Sequence, residues 1–149
     1  MGTTGCGVIE LRRPVSSPQR PRVLCVDDDV AVVRLLTRYL GRAGYDTVGA
    51  SDPLSALEQL VSTPSPFDAL ITDQSMTGMM GLELARFAAQ VRPELVVLLA
   101  TAGTDRLDPD ELASSGVSYL VAKPFDFPSL VSTLGEVSRH SRSARPSRV

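Results

Sequence analysis

The hydrophobic period of this chain switches back and forth along its length, and that alternation leaves few folds open. Val23-Leu24-Cys25-Val26 is a short apolar run that ends in acids. From Val30 to Ala43, apolar residues recur at Val32, Leu36, Tyr39, Leu40 and Ala43, which is helical spacing. Gly44 then stands where a helix end wants a residue free to take positive φ. Thr47-Val48-Gly49-Ala50 reads as a weak second strand. Asp52-Pro53 opens a helix to about Val61, with proline in the first turn, where its missing N–H costs nothing. Ala69-Leu70-Ile71-Thr72 is a third strand leading into Asp73. Gly81 to Val91 is a third helix, with Leu82, Leu84, Ala85, Ala88 and Val91 apolar. Leu95 to Ala100 is a continuous apolar strand, Asp110 to Ser115 a short helix stopped by Gly116, and Tyr119-Leu120-Val121-Ala122 a fifth strand. Asp126 caps a last helix through about Arg139, with Phe127, Leu130, Val131, Leu134 and Val137 on its apolar side.

Strands alternating with helices predict a parallel sheet with right-handed crossovers, and continuous apolar strands predict cover on both faces. The expected fold is α/β, a flavodoxin-like doubly wound sheet of five parallel strands in the order 2-1-3-4-5 with five helices. No internal repeat competes with it. At 149 residues and 43% hydrophobic, the chain suits one domain with a real core. No apolar run approaches the ~18–20 residues of a membrane helix, and the N-terminus lacks the apolar region of a secretory signal. Cys6 and Cys25 lack metal or redox spacing. These features predict a cytoplasmic protein with no membrane partner.

Charge is segregated. Residues 1–22 carry four arginines against one glutamate, and residues 139–149 carry four arginines and no acid. The stretch between them keeps seven of the 15 basic residues and sixteen of the 17 acidic ones, a net charge of −9. Both ends are rich in Pro, Ser and Gly, which cannot bury enough apolar surface to offset ordering. The expected organisation is a flexible extension over 1–21, one domain over 22–139 and a flexible basic tail over 140–149. The tail has no aromatic residues among its arginines, so a solvated tail is expected there and nucleic acid is not the expected partner.

The chemistry clusters just after strands. Asp27, Asp28 and Asp29 follow the first strand, Asp73 the third, Thr101 the fourth, and Lys123-Pro124 the fifth. In a parallel sheet all strand ends point one way, so these side chains collect at the carboxyl edge, where open α/β sheets bind ligands. Carboxylates gathered there raise each other's pKa unless a cation joins them. Hard oxygen ligands from one side of a site suit Mg²⁺, which keeps several waters and shares phosphate oxygens. Lys123, the only lysine beside fourteen arginines, offers a compact charge to phosphoryl oxygens, and Thr101 offers a hydroxyl. Asp73 stands alone after the central strand and is the best-placed nucleophile for an acyl phosphate.

These residues resemble the receiver domain of bacterial two-component response regulators. The resemblance rests on VLCVDDD (Val23–Asp29), LITDQSM (Leu70–Met76), a glycine eight positions after Asp73, ATAG (Ala100–Gly103) and VAKPF (Val121–Phe125), and covers 23–138. It implies that Asp73 is the phosphoacceptor, loaded by a histidine kinase or a phosphotransfer protein. Asp27, Asp28 and Asp73 would hold Mg²⁺ with the backbone carbonyl of Ser75. Thr101 would bond the phosphoryl group on activation, Lys123 would pair with it, and Pro124 would follow a cis peptide bond. Asp29 is expected to cap the first helix instead.

Three positions depart from the family pattern. Thr77 stands where proline is usual, Met80 where Asp or Asn is usual, and Leu120 where the switch aromatic is usual, with Tyr119 one place earlier. Ser75 and Gly103, at positions that tune phosphoryl lifetime, are both small and imply easy water access. With only eleven residues after 138, output is expected through contact with a downstream protein, and a homodimer through helix 4, strand 5 and helix 5 is one such contact. The expected protein is thus a switch and not an enzyme acting on outside substrates. Two alternatives are a degenerate receiver that binds partners without phosphorylation and a small metal-dependent phosphohydrolase. The second lacks a general acid near Asp73, a histidine before His140 and a cap insertion.

Overall fold

A computed structural model of the chain describes residues 20–62, 66–103 and 105–144, with side chains described through Val137. Five strands and five helices alternate among the described residues: β1 (Arg22–Val26), α1 (Val30–Arg42), β2 (Asp46–Ala50), α2 (Pro53–Ser62), β3 (Ala69–Asp73), α3 (Gly81–Val91), β4 (Val96–Thr101), α4 (Pro109–Ser114), β5 (Val117–Ala122) and α5 (Phe127–Ala144). The strands are parallel and run β2-β1-β3-β4-β5 across the sheet. That is the expected fold and order. The expected flexible extension lies outside the described residues over 1–19, and so does the tail over 145–149; α5 itself continues past Arg139 to Ala144.

Two apolar layers sandwich the three central strands. Leu24, Val26, Leu70 and Val97 pack on one face with Ala56 and Leu60 of α2 and Leu84, Ala85 and Ala88 of α3. Val23, Cys25, Ile71 and Leu98 pack on the other with Leu36 and Leu40 of α1 and Leu130 and Leu134 of α5. Burying each such aliphatic side chain contributes about 1.5–3 kcal/mol, which is why β1, β3 and β4 read as unbroken apolar runs. Cys25 belongs to this interior, where burial pushes its thiol up to about 12. On α1, Tyr39 leaves the core line but stacks on Phe127 of α5, with ring centroids 4.5 Å apart.

The edges of the sheet differ from the expected double cover. β5 carries no buried residue: Tyr119 is 37% exposed and Leu120 52%. The helix that precedes it, α4, spans only six residues and buries none of them. The ladder between β4 and β5 also slips at Val97/Leu98, so that Ser118 is passed over and its hydroxyl accepts the Val97 N–H at 3.4 Å.

Gly81 shows how closely the site is built on this frame. A Cβ there would lie 2.3 Å from the Asp73 carbonyl oxygen, 2.9 Å from Gln74 Cα and 2.6 Å from Leu99 Cδ1. Two of those atoms are backbone and cannot yield cheaply. Gly81→Ala is therefore expected to destabilise the protein by about 3 kcal/mol in urea unfolding, at the upper end of the usual cost of overpacking; a loss below about 1 kcal/mol would contradict this packing.

Candidate phosphoacceptor and metal site

β1 and β3 are neighbours, so Asp27, one residue past β1, and Asp73, the last residue of β3, emerge side by side. Both are buried, Asp27 at 2% exposure and Asp73 at 7%. Such acids need partners. Lys123, delivered by the end of β5, supplies one to each: its Nζ lies 3.1 Å from Asp27 Oδ2 and 3.2 Å from Asp73 Oδ1. The other Asp27 oxygen accepts the Asp29 N–H at 2.9 Å, and Asp29 in turn caps α1 by accepting the Ala31 N–H. The Lys123 N–H donates to the Thr101 carbonyl at 2.9 Å, which ties the lysine to the end of β4. The Lys123–Pro124 peptide bond is cis, as the resemblance implies.

The electrostatics follow from this crowding. Burial, then the charge of Asp27, push the Asp73 carboxyl above its ordinary value, although Lys123 pulls it back in part. Burial works against the Lys123 charge, but its hydrogen bonds and attraction to Asp27 and Asp73 outweigh that and hold the ammonium above its ordinary value. One carboxylate oxygen each from Asp27, Asp28 and Asp73 can be chosen so that all lie within 4.8 Å of one another. Three hard anionic oxygens on one side of an open edge, with Asp28 exposed, fit a small divalent cation that keeps some of its water.

Two of the departures from the family pattern have a structural counterpart. Thr77 has a backbone N–H, which proline would lack, and donates it to Asp28 Oδ2 at 3.3 Å. Met80 has no side-chain oxygen to cap α3, and Gln74 takes over: its Oε1 accepts the Leu82 N–H and its carbonyl the Gly81 N–H, both at 2.9 Å. Gln74 is buried among these contacts, and its place directly after Asp73 was the only signal for it in the sequence. Thr101 ends β4 half-buried beside the site. Leu120 lies one strand away on exposed β5, paired in register with Leu99, and is not part of the charged cluster. Ser75 is exposed, and its hydroxyl donates to Asp105 at 2.6 Å.

The chain matches the response regulator receiver domain over residues 23–135. It belongs to that family. Among its relatives, it is 35% identical over 114 residues to the response regulator receiver protein CpdR of Brucella abortus, covering 76% of this chain and 92% of that protein. It is 37% identical over 107 residues to the chemotaxis protein CheY of Pseudomonas aeruginosa, covering 70% of this chain and 85% of that protein. Against the transcriptional regulatory protein AruR of the same organism, identity is 34% over 130 residues, but the match spans only 53% of that protein. A receiver domain protein of Clostridium thermocellum shares the fold at a TM-score of 0.78 and 18% identity, over 84% of this chain and 99% of that one. Receiver domains typically bind Mg²⁺ and interact with kinases or phosphotransfer proteins and with downstream effectors. Among the described residues, no helix is long and apolar enough to cross a membrane.

The raised Asp73 value has a sign that can be measured. Its proton is held more tightly in the fold than in the unfolded chain, so it adds stability below the ordinary carboxylate range, and that stability is lost as pH rises through the native value. In Mg²⁺-free buffer at pH 7, Asp73→Asn is expected to raise the thermal midpoint by about 2–4 °C, with Lys123 still paired to Asp27. The gain should vanish toward pH 4. An unchanged midpoint at pH 7 would contradict the assignment.

Proposed function

We propose that this receiver takes a phosphoryl group on Asp73 from a histidine kinase or a histidine phosphotransfer protein and uses it to switch contacts with a downstream protein. The observation that carries the reading is Lys123 Nζ, held 3.1 Å from Asp27 and 3.2 Å from Asp73 at the edge of the sheet. Asp27, Asp28 and Asp73, with the Ser75 carbonyl, would hold Mg²⁺. When bound, the ion neutralises charge on the phosphoryl oxygens. An Asp73 oxygen forms the new bond to phosphorus while the bond from phosphorus to the donor nitrogen breaks. That electron pair stays on the imidazole, which takes a proton from solvent. Lys123 follows the charge from carboxylate to acyl phosphate, and Thr101 is placed to donate its hydroxyl to a phosphoryl oxygen.

The acceptor is modified once per cycle, so the protein acts as a switch and not as an enzyme turning over outside substrates. Its readout surface is the face formed by α4, β5 and α5, where Leu120 and Tyr119 stand exposed beside a helix that buries nothing. A loaded site needs a partner, or a second copy of the chain, that prefers one state of that face over the other.

With acetyl phosphate and Mg²⁺, intact mass should show one added phosphoryl group on the wild type and none on Asp73→Asn or after chelation of Mg²⁺. A wild type that stays unmodified while correctly folded would favour a receiver that works without phosphorylation. Because Ser75 and Gly103 are small, the phosphoryl group should be lost well within an hour after the donor is removed; retention for many hours would contradict easy water access.

A further inference from the structure

One acid beside the site has no part in the chemistry above. Asp105 lies in the loop between β4 and α4, half-buried, with its carboxylate bound at both oxygens. Oδ1 accepts the Ser75 hydroxyl at 2.6 Å, and Oδ2 accepts the Ala102 N–H at 2.7 Å. Its own N–H returns to the Ala102 carbonyl at 3.0 Å. The two bonds to Ala102 alone would be an ordinary way to close a turn. The bond to Ser75 crosses 30 residues of sequence and joins the loop after β3 to the loop after β4. Those two loops flank Asp73: Ser75 stands two residues after the acceptor, and Ala102 directly follows Thr101.

Asp105 is thus an anion already seated on donors from both walls of the phosphoacceptor site. A phosphoryl group on Asp73 brings more negative charge between the same walls, and both anions seek N–H and O–H donors there. We propose that Asp105 is a built-in competitor of the phosphoryl group, holding the Ser75 hydroxyl and the Ala102 N–H in the resting protein and giving them up when Asp73 is loaded. This rests on the reading of Asp73 as phosphoacceptor. It also couples loading to the loop that leads into α4, because release of the carboxylate unfastens that loop from the loop after β3. After burial and the charge of Asp27, the charge of Asp105 also pushes the Asp73 carboxyl above its ordinary value. Asp105 touches no reacting atom, so it is a positioning residue.

The competitor and a plain loop staple predict opposite signs. If Asp105 only holds the loop in a productive shape, removing it weakens binding of a phosphoryl group. If it competes, removing it strengthens binding. The probe is the beryllium trifluoride anion, titrated with Mg²⁺ and followed by the amide NMR signals of Ala102 and Gly103. Asp105→Asn keeps the shape and removes the charge, and Asp105→Ala removes both. Each is expected to bind the probe about three- to tenfold more tightly than the wild type, and should Asp105→Ala fail to fold, Asp105→Asn decides. Binding by the wild type with equal or weaker binding by the variants overturns the competitor and leaves Asp73 as acceptor. No binding by folded wild type, matching an Asp73→Asn control, overturns both.

Discussion

The double ion pair of Lys123 is the interaction on which the rest of the site depends. Asp27 and Asp73 are buried at the ends of neighbouring strands, and buried carboxyl groups side by side need a common partner. The lysine reaches both oxygens at hydrogen-bond distance, while its backbone is fastened to β4 through Thr101. The same crowding keeps Asp73 above its ordinary carboxyl value. Charge here is poised and only partly satisfied, which suits a site that receives a metal and then an anion.

The fold serves this arrangement by geometry. A parallel sheet sends every strand end to one edge, so residues from β1, β3, β4 and β5 meet although they lie far apart in sequence. The central strands are fixed by apolar layers on both faces, which lets the edge carry strain in charge without losing its shape. The outer strand is treated differently. β5, which delivers Lys123, is left largely bare beside an α4 of six residues that buries none of them.

Much of this was legible in the sequence because the relevant signals are periodic or sit at fixed places after strands. The run from Val23 into three aspartates, the run from Ala69 into Asp73 and the helical spacing of Leu36, Leu40, Leu130 and Leu134 mark the strands and helices, and the order 2-1-3-4-5 was expected as the commonest small doubly wound arrangement of them. Asp29 was readable as a cap because a side-chain oxygen before a helix has few other uses. What stayed hidden depends on contacts between loops. Gln74 caps α3 from outside the helix, in place of the side-chain oxygen that Met80 lacks, and no local pattern marks such a residue. Asp105 meets Ser75 only after the fold has closed, and in the sequence it is one loop acid among several. The exposure of β5 was masked by an apolar run that looks like a covered strand, since burial depends on what packs against the run and not on the run itself, and α4 beside it buries none of its six residues.

The most direct measurement is chemical mapping of the modified residue. Protein loaded from a small phosphoryl donor with Mg²⁺ and then reduced with borohydride converts an acyl phosphate on aspartate to homoserine, which peptide sequencing by mass spectrometry locates. The account predicts homoserine at position 73 alone. Homoserine at position 27 or 28, or a phosphoryl group that resists reduction and sits on a serine, threonine or histidine, would contradict it.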